Sequence, residues 1–387
     1  MESNQPALKK TLSRWDSVAI NIAIVIGVGI FRVPSEVSLY LKSADIILLA
    51  WLCGGLISLL GAFCYGELSS SFPQTGGNYI FLRESYGPCL AFLFGWTELL
   101  VIRTGSIAAV SFVCAEYLQS FLSTGELWIK PVAVAIVLTL SLINILGMYY
   151  GKRLQDLFVI TKMLAIGAII LFGLLSKKGD PGNFNSVPFS GDGSVLALFC
   201  LALIPILWTY GGWHESTFVA GETKDAKKVI PSVLVMGVVI ISIIYLAINC
   251  LYLYLVPAQQ MVHAKLIAAD VFNILYGNYG RKILEALVII SSLGCLNAMI
   301  ITGSRVTYAL AKDNQVFNYI AAVDSSFHTP LRALMINGFW SVILIILGSF
   351  NKLLFFTGAL TWLFFALVVG GLFILRRKYP EMKRSYE

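Results

Sequence analysis

Gly27-Val28-Gly29-Ile30-Phe31-Arg32-Val33-Pro34 interrupts an otherwise apolar run, Ser17–Tyr40, long enough to cross a bilayer. Glycine lets backbone leave helical geometry cheaply, and Pro34 withdraws a further N–H. A helix broken inside a membrane is tolerated only where protein or a water-filled cavity satisfies the freed polar groups. A second interruption, Tyr210-Gly211-Gly212-Trp213, lies in the apolar run Ser194–Ala220. Glycines also pack membrane helices closely, and either site alone is open to that reading. Their spacing argues for more than packing.

Apolar runs of about 20 residues predict ten spans: Ser17–Tyr40, Ala44–Ser70, Pro88–Phe121, Trp128–Tyr149, Leu154–Leu175, Ser194–Ala220, Pro231–Val256, Ile283–Ala311, Leu331–Gly348 and Leu353–Leu375. Ala268–Tyr276 has helical spacing but is too short to cross. The interrupted runs are the first and the sixth. They occupy matching places in two five-span halves, and an odd number of spans gives those halves opposite topology. Broken helices at matching positions of inverted repeats point to a transporter's midplane binding site. Helix N-termini there offer N–H groups to a carboxylate, and freed carbonyls accept from an ammonium. An amino acid zwitterion carries both groups.

Composition agrees. Of 387 residues, 58% are hydrophobic and only 13% charged, against roughly 25% charged in soluble chains, and mean hydropathy is +0.80. So few charges cannot clothe a water-facing surface, which excludes a soluble enzyme. The net charge of +7 accompanies no basic run with interleaved aromatics, so no nucleic acid partner is expected. Cys53, Cys64, Cys89, Cys114, Cys200, Cys250 and Cys295 sit in or beside apolar stretches without a C-x-x-C, and there are three His. No metal or cofactor is expected.

Loops that fall on the side of the N-terminus carry twice as many Lys and Arg as those opposite, predicting both termini in the cytoplasm of a multi-pass cell-membrane protein. The chain then divides into a cytoplasmic tail 1–16, a first repeat 17–175, an external loop 176–193, a second repeat 194–375 and a cytoplasmic tail 376–387.

At these residues the chain resembles permeases of the amino acid–polyamine–organocation superfamily, and most of all their L-type amino acid transporter branch. Gly27-Val28-Gly29-Ile30-Phe31 resembles the family's G-S-G-I-F. Tyr65-Gly66-Glu67-Leu68, with Pro73 to Gly77 and Tyr79, resembles Y-x-E-L…P-x-x-G-G-x-Y. Trp96-Thr97-Glu98-Leu99-Leu100-Val101-Ile102-Arg103 is similar to the branch's W-x-E-L-L-I-I-R. Leu154-Gln155-Asp156-Leu157-Phe158 leading to Lys162, Trp208-Thr209-Tyr210-Gly211-Gly212-Trp213 with Gly221-Glu222, and Trp362-Leu363-Phe364-Phe365 with Arg376-Arg377-Lys378-Tyr379-Pro380 extend the likeness over nearly the whole chain.

The resemblance implies an all-α LeuT-type fold of two inverted five-helix repeats with helices one and six broken. It implies a substrate site around Val25, Gly27, Val28, Gly29, Ile30, Trp208, Thr209 and Gly211, and Asn297, a polar residue within span eight, is a further candidate for closing the pocket. Val28 and Gly29 N–H groups would hold the substrate carboxylate. Carbonyls near Val25, Trp208 and Gly211 would take its ammonium. The Trp208 ring would gate the outer side, and Lys162 would stand in for a coupling cation, bridging spans one and eight; the alternative for Lys162 is snorkelling to the interface. The chain departs from the pattern at Val28, where the family has Ser, at Thr209, and at His214, where Asn is common. The family usually has twelve spans and this sequence ten, which suffices for the inverted repeat. Phe121–Lys130 lacks the Cys of animal relatives, so no disulfide-linked ancillary subunit is expected.

Ionisable residues inside spans are functional candidates. Glu98 and Arg103, five apart, fall about 140° apart on an α-helical wheel, which predicts separate partners rather than a direct pair. Arg32 is expected to snorkel outward, and Trp362 to pack or face lipid. Glu67 ends span two, where it is either a bland interfacial residue or a scaffold contact, and Glu215 meets either a cationic substrate group or a local partner. The function expected is secondary transport of amino acids by alternating access, as sodium-independent exchange or proton-linked transport. An apolar lining of Val25, Val28, Ile30 and Trp208 suggests neutral substrates of small, medium or branched side chain. The rivals are a proton-coupled symporter of cationic amino acids or polyamines, for which Glu215 is the residue to test, and a channel, which no charged ring or carbonyl filter supports. The sequence leaves the particular amino acid and the oligomeric state open.

Overall fold

The computed structural model describes residues 10–146, 148–185, 194–264, 266–313, 319–324 and 329–381. The outer parts of both expected tails, 1–9 and 382–387, and stretch 186–193 of the expected external loop lie outside the described residues. Described helices fall into nine segments long and apolar enough to span a membrane, plus the 17-residue apolar helix Leu331–Leu347. At 1.5 Å per residue that last helix is about 26 Å long, enough for a thin or locally matched bilayer. The ten expected spans are all present as helix.

Both interruptions are real breaks. Span one consists of Arg14–Val25 and Gly29–Tyr40, with Ile26 at φ −77° and ψ 63°, outside helical geometry. Span six is an α-helix over Val195–Tyr210, a non-helical turn, and a 3₁₀ segment over Glu215–Glu222. Gly212 carries φ +102°, a conformation glycine alone adopts at no steric cost.

Packing follows the two repeats. Span two (Ala44–Ser71) lies along span seven (Ala226–Leu255), and span three (Pro88–Leu122) along span eight (Ile267–Asp313). Span four (Ile129–Ile145) lies along span nine (Leu331–Leu347). The first half of span one meets the second half of span six, and the converse, so the two broken helices cross at their breaks. Four of the five spans in the first repeat thus touch their counterparts five places on.

Two local features extend the sequence reading. The long helix Ile267–Asp313 absorbs Ala268–Tyr276 and turns at Gly277, whose φ is +64°. Span three contains one π-helical turn, Glu98–Ile102. Span five, within Met148–Leu175, is two-faced: Leu157, Ile160 and Leu164 are exposed, while Val159, Lys162, Ile166 and Ile169 are buried at helical spacing. The exposed stripe is the lipid-facing surface, and Lys162 points away from it into protein.

Candidate functional site

The breaks approach each other because glycine leaves room. A Cβ on Gly29 would lie 2.7 Å from Thr209 Cγ2, and one on Gly212 would lie 2.4 Å from Ile24 Cγ2. Tyr245 of span seven clamps this crossing: its hydroxyl donates to the Val25 carbonyl, with the Thr209 carbonyl 3.1 Å away. Gly29 opens its helix behind Val28 as N-cap, so the N–H groups of both lack carbonyl acceptors within that helix. They form the positive end of a helix dipole pointed into the crossing.

A cavity of about 70 Å³ opens beside the breaks, room for several waters. Val25, Gly27, Val28, Gly29, Trp208, Thr209 and Gly211 all line it. Span three adds Ile102, Ser106 and Val110 at intervals of one helical turn. Span ten (Phe350–Lys378) adds Gly358, Thr361, Trp362 and Phe365 at helical spacing.

Ile30 and Asn297 do not line the cavity. Ile30 is fully buried in the hydrophobic core, because one residue beyond Gly29 a helix has turned its side chain by about 100°. Asn297 accepts a hydrogen bond from Asn144 Nδ2 at 2.7 Å, joining span eight to span four. The carbonyls expected to receive an ammonium are largely engaged: Val25 accepts from Tyr245 and from Gly27 N–H at 2.7 Å, and Trp208 accepts from Gly211 N–H at 3.0 Å. Trp362 lines the cavity rather than facing lipid.

Lys162 also lies outside the cavity lining. It is buried to 1% exposure and donates to the Ala23 carbonyl of span one at 2.8 Å. It does not snorkel. Its ammonium reaches the last turn before the first break from behind.

The cavity's far end is acidic. Arg103 Nη2 lies 2.8 Å from both Glu98 Oε1 and Glu215 Oε1, and all three side chains are 4% exposed. The direct Glu98–Arg103 pair departs from the sequence expectation, and the π-turn explains it. Within that turn Arg103 N–H donates to the Glu98 carbonyl, an i to i+5 step. Such a step underwinds the wheel so that residues five apart share a face. Without structure this is hard to see, since no residue type compels a π-turn.

Aromatic and ionic contacts close one side. The Trp208 ring meets Phe350 edge to face at 6.3 Å, the Arg32 guanidinium stacks on Phe350 at 4.1 Å, and Arg32 pairs with Glu116 of span three. Arg32 is therefore buried in a clasp instead of snorkelling. On the other side, Arg305 of span eight grips Glu222 through Nε at 3.0 Å and Nη2 at 3.2 Å. Leu12 exchanges backbone hydrogen bonds of 2.9 Å with Glu222 and Lys224, pinning the N-terminal segment there. Glu67 makes the scaffold contact, one of its two expected roles: Arg376 holds it through Nε at 3.0 Å and Nη2 at 2.5 Å.

The family pattern described as Amino acid permease matches residues 12–387. The serine/threonine exchanger SteT of Bacillus subtilis (strain 168) is 30% identical over 390 residues, covering 100% of this chain and 88% of that protein. The cystine/glutamate transporter of Homo sapiens is 30% identical over 385 residues, 98% of this chain and 76% of its own. The b(0,+)-type amino acid transporter 1 of Homo sapiens is 27% identical over 393 residues, 99% and 80% respectively. Among solved structures, Mhp1, a nucleobase-cation-symport-1 family transporter in a closed conformation with bromovinylhydantoin bound, superposes with a TM-score of 0.66. It is 14% identical, covers 98% of this chain and 82% of its own, and shares the fold alone.

Proposed function

We propose that this chain, which belongs to the amino acid permease family, carries small neutral amino acids across the membrane by exchange, binding each one between the two helix breaks. It is a membrane-embedded secondary amino acid transporter rather than an enzyme, as its relatives are. The observation that carries the finer reading is the apposition of the breaks, with Gly29 packed on Thr209 and Gly212 on Ile24 beside the cavity.

The substrate carboxylate binds the N–H groups of Val28 and Gly29, where a helix N-terminus favours an anion. Its ammonium takes the Gly211 carbonyl, since those of Val25 and Trp208 already accept hydrogen bonds. Trp208 lies over the bound molecule as the gate. The clasp of Phe350, Arg32 and Glu116 holds that gate shut on the outer face, with both termini cytoplasmic. The Glu222–Arg305 pair and the pinned Leu12 lie on the inner face. Exchange follows when one clasp opens while the other stays closed, and the empty carrier is slow to cross because its buried polar backbone lacks a partner.

Lys162 substitutes for a coupling cation. Its ammonium on the Ala23 carbonyl holds the first half-helix in the way a bound cation holds freed backbone. Transport therefore needs no sodium. A long cationic substrate is disfavoured because Arg103 already occupies the acidic end of the cavity.

The test is counterflow in proteoliposomes loaded with one unlabelled amino acid, with twenty amino acids as competitors of labelled alanine. Small neutral amino acids should compete and sodium should change nothing. Uptake that needs no internal amino acid would refute exchange.

A further inference from the structure

At the Arg103 end of the cavity one carboxylate oxygen is left over. Arg103 contributes one positive charge against the two carboxylates of Glu98 and Glu215. Glu215 spends only its Oε1 on Arg103, and its Oε2 is buried without a hydrogen-bond partner among the described residues. Nδ1 of the adjacent His214 is likewise buried and unpartnered. Both residues line the cavity, and they are 3% and 5% exposed. A buried carboxylate oxygen is costly unless something donates to it. Among the described residues no side chain donates to Oε2, although the wall also carries the polar groups of Asn78, Ser106, Thr361 and Trp362 beside the apolar Phe94, Ile102, Met299, Phe364 and Phe365.

From these atoms we infer that Glu215 selects the substrate's side chain, accepting a hydrogen bond at Oε2 from a hydroxyl or amide donor, with His214 beside it. The inference rests on the reading of the cavity as an amino acid site and narrows its substrates to neutral amino acids with a donor in the side chain. It differs from the sequence expectation, in which an apolar lining of Val25, Val28, Ile30 and Trp208 suggests small, medium or branched side chains. Arg103 fixes the carboxylate through Oε1, so Oε2 is held in place before the substrate arrives. A site built to receive a donor discriminates sharply against an isostere that lacks one, because the buried acceptor is then left bare.

Threonine and valine differ by hydroxyl against methyl at nearly constant shape, and asparagine and leucine by amide against isopropyl. Counterflow of labelled alanine in proteoliposomes of the full chain measures how well each competes. For the wild-type protein, threonine should compete at least about 10-fold better than valine, and asparagine better than leucine. Valine equal to or ahead of threonine in the wild type overturns the proposal with no variant needed. In Glu215→Gln the threonine-to-valine ratio should fall to within about threefold of unity, and an unchanged ratio overturns the assignment to Glu215. The ratio is independent of how much transport survives. Where Glu215→Gln transports too little to measure, the stabilisation of the detergent-solubilised Glu215→Gln protein by threonine against valine gives the same ratio, since it needs no transport. Wild-type liposomes in which no amino acid exchanges with alanine sink the amino acid reading itself, a result separable from loss of the threonine preference alone.

Discussion

Gly29→Ala probes the crossing of the breaks with a single methyl. The new Cβ would lie 2.7 Å from Thr209 Cγ2, 2.8 Å from its Oγ1 and 3.1 Å from its Cβ. Carbon atoms prefer roughly 3.5–4.0 Å. Turning the threonine does not help, because its Cβ is itself too near and its hydroxyl is held on the Pro205 carbonyl at 2.8 Å. Spans one and six must therefore move apart at the point where the carboxylate N–H groups sit. Overpacking of this kind costs about 1–3 kcal/mol, which corresponds to about a 5- to 150-fold loss of substrate affinity. Counterflow gives the affinity, and a thermal melt in detergent shows that the protein remains folded. Thr209→Ala in the same chain deletes the two nearest atoms and leaves only the 3.1 Å contact, so the double variant should recover most of the loss. Wild-type affinity in Gly29→Ala, or no recovery in the double variant, would refute the steric account of the site.

Lys162→Met keeps the buried volume but strips the donor from the Ala23 carbonyl; exchange should slow about 10-fold, the value of roughly 1.4 kcal/mol of lost charge-assisted bonding, and an unchanged initial rate would reduce Lys162 to scaffold. Arg103→Met leaves Glu98 and Glu215 buried without a counter-charge, so the melt should show destabilisation of about 3–5 kcal/mol, and a melting temperature equal to the wild type would contradict the ion triad. Arg32→Ala removes both the Glu116 pair and the stack on Phe350. Cys295 lines the cavity, so its labelling by a small membrane-impermeant thiol reagent added outside should accelerate several-fold and be suppressed by saturating substrate; labelling at the wild-type rate would rule out the clasp.

The sequence made the breaks legible because glycine pairs and Pro34 have few other uses inside an apolar run, and their placement five spans apart supplied the topology. The ten spans were legible for the same reason: lipid demands long apolar runs. What sequence reasoning missed lies where helices turn irregularly or where distant side chains meet. Glu98 and Arg103 pair through a π-turn that shifts the wheel by a residue. Tyr245 reads as one more aromatic in span seven, and only the crossing of two other helices gives its hydroxyl two carbonyls to serve. Gly358, Thr361, Trp362 and Phe365 do carry a signal, small and polar residues recurring along one side of an apolar helix, which the likeness of Trp362 to a lipid-facing aromatic concealed. Asn297 was expected in the substrate site, and its bond to Asn144, 153 residues away, lies beyond the reach of any local pattern.

The backbone bridge between Leu12 and the segment around Thr223 ties the amino-terminal stretch to span six, and through Glu222 and Arg305 to span eight. A fusion partner or affinity handle spliced just ahead of Leu12 would tug on that knot with every cycle, braking turnover without touching the cavity. Handles belong at the other terminus, and leverage applied at Leu12 offers a way to stall the carrier in one posture for imaging.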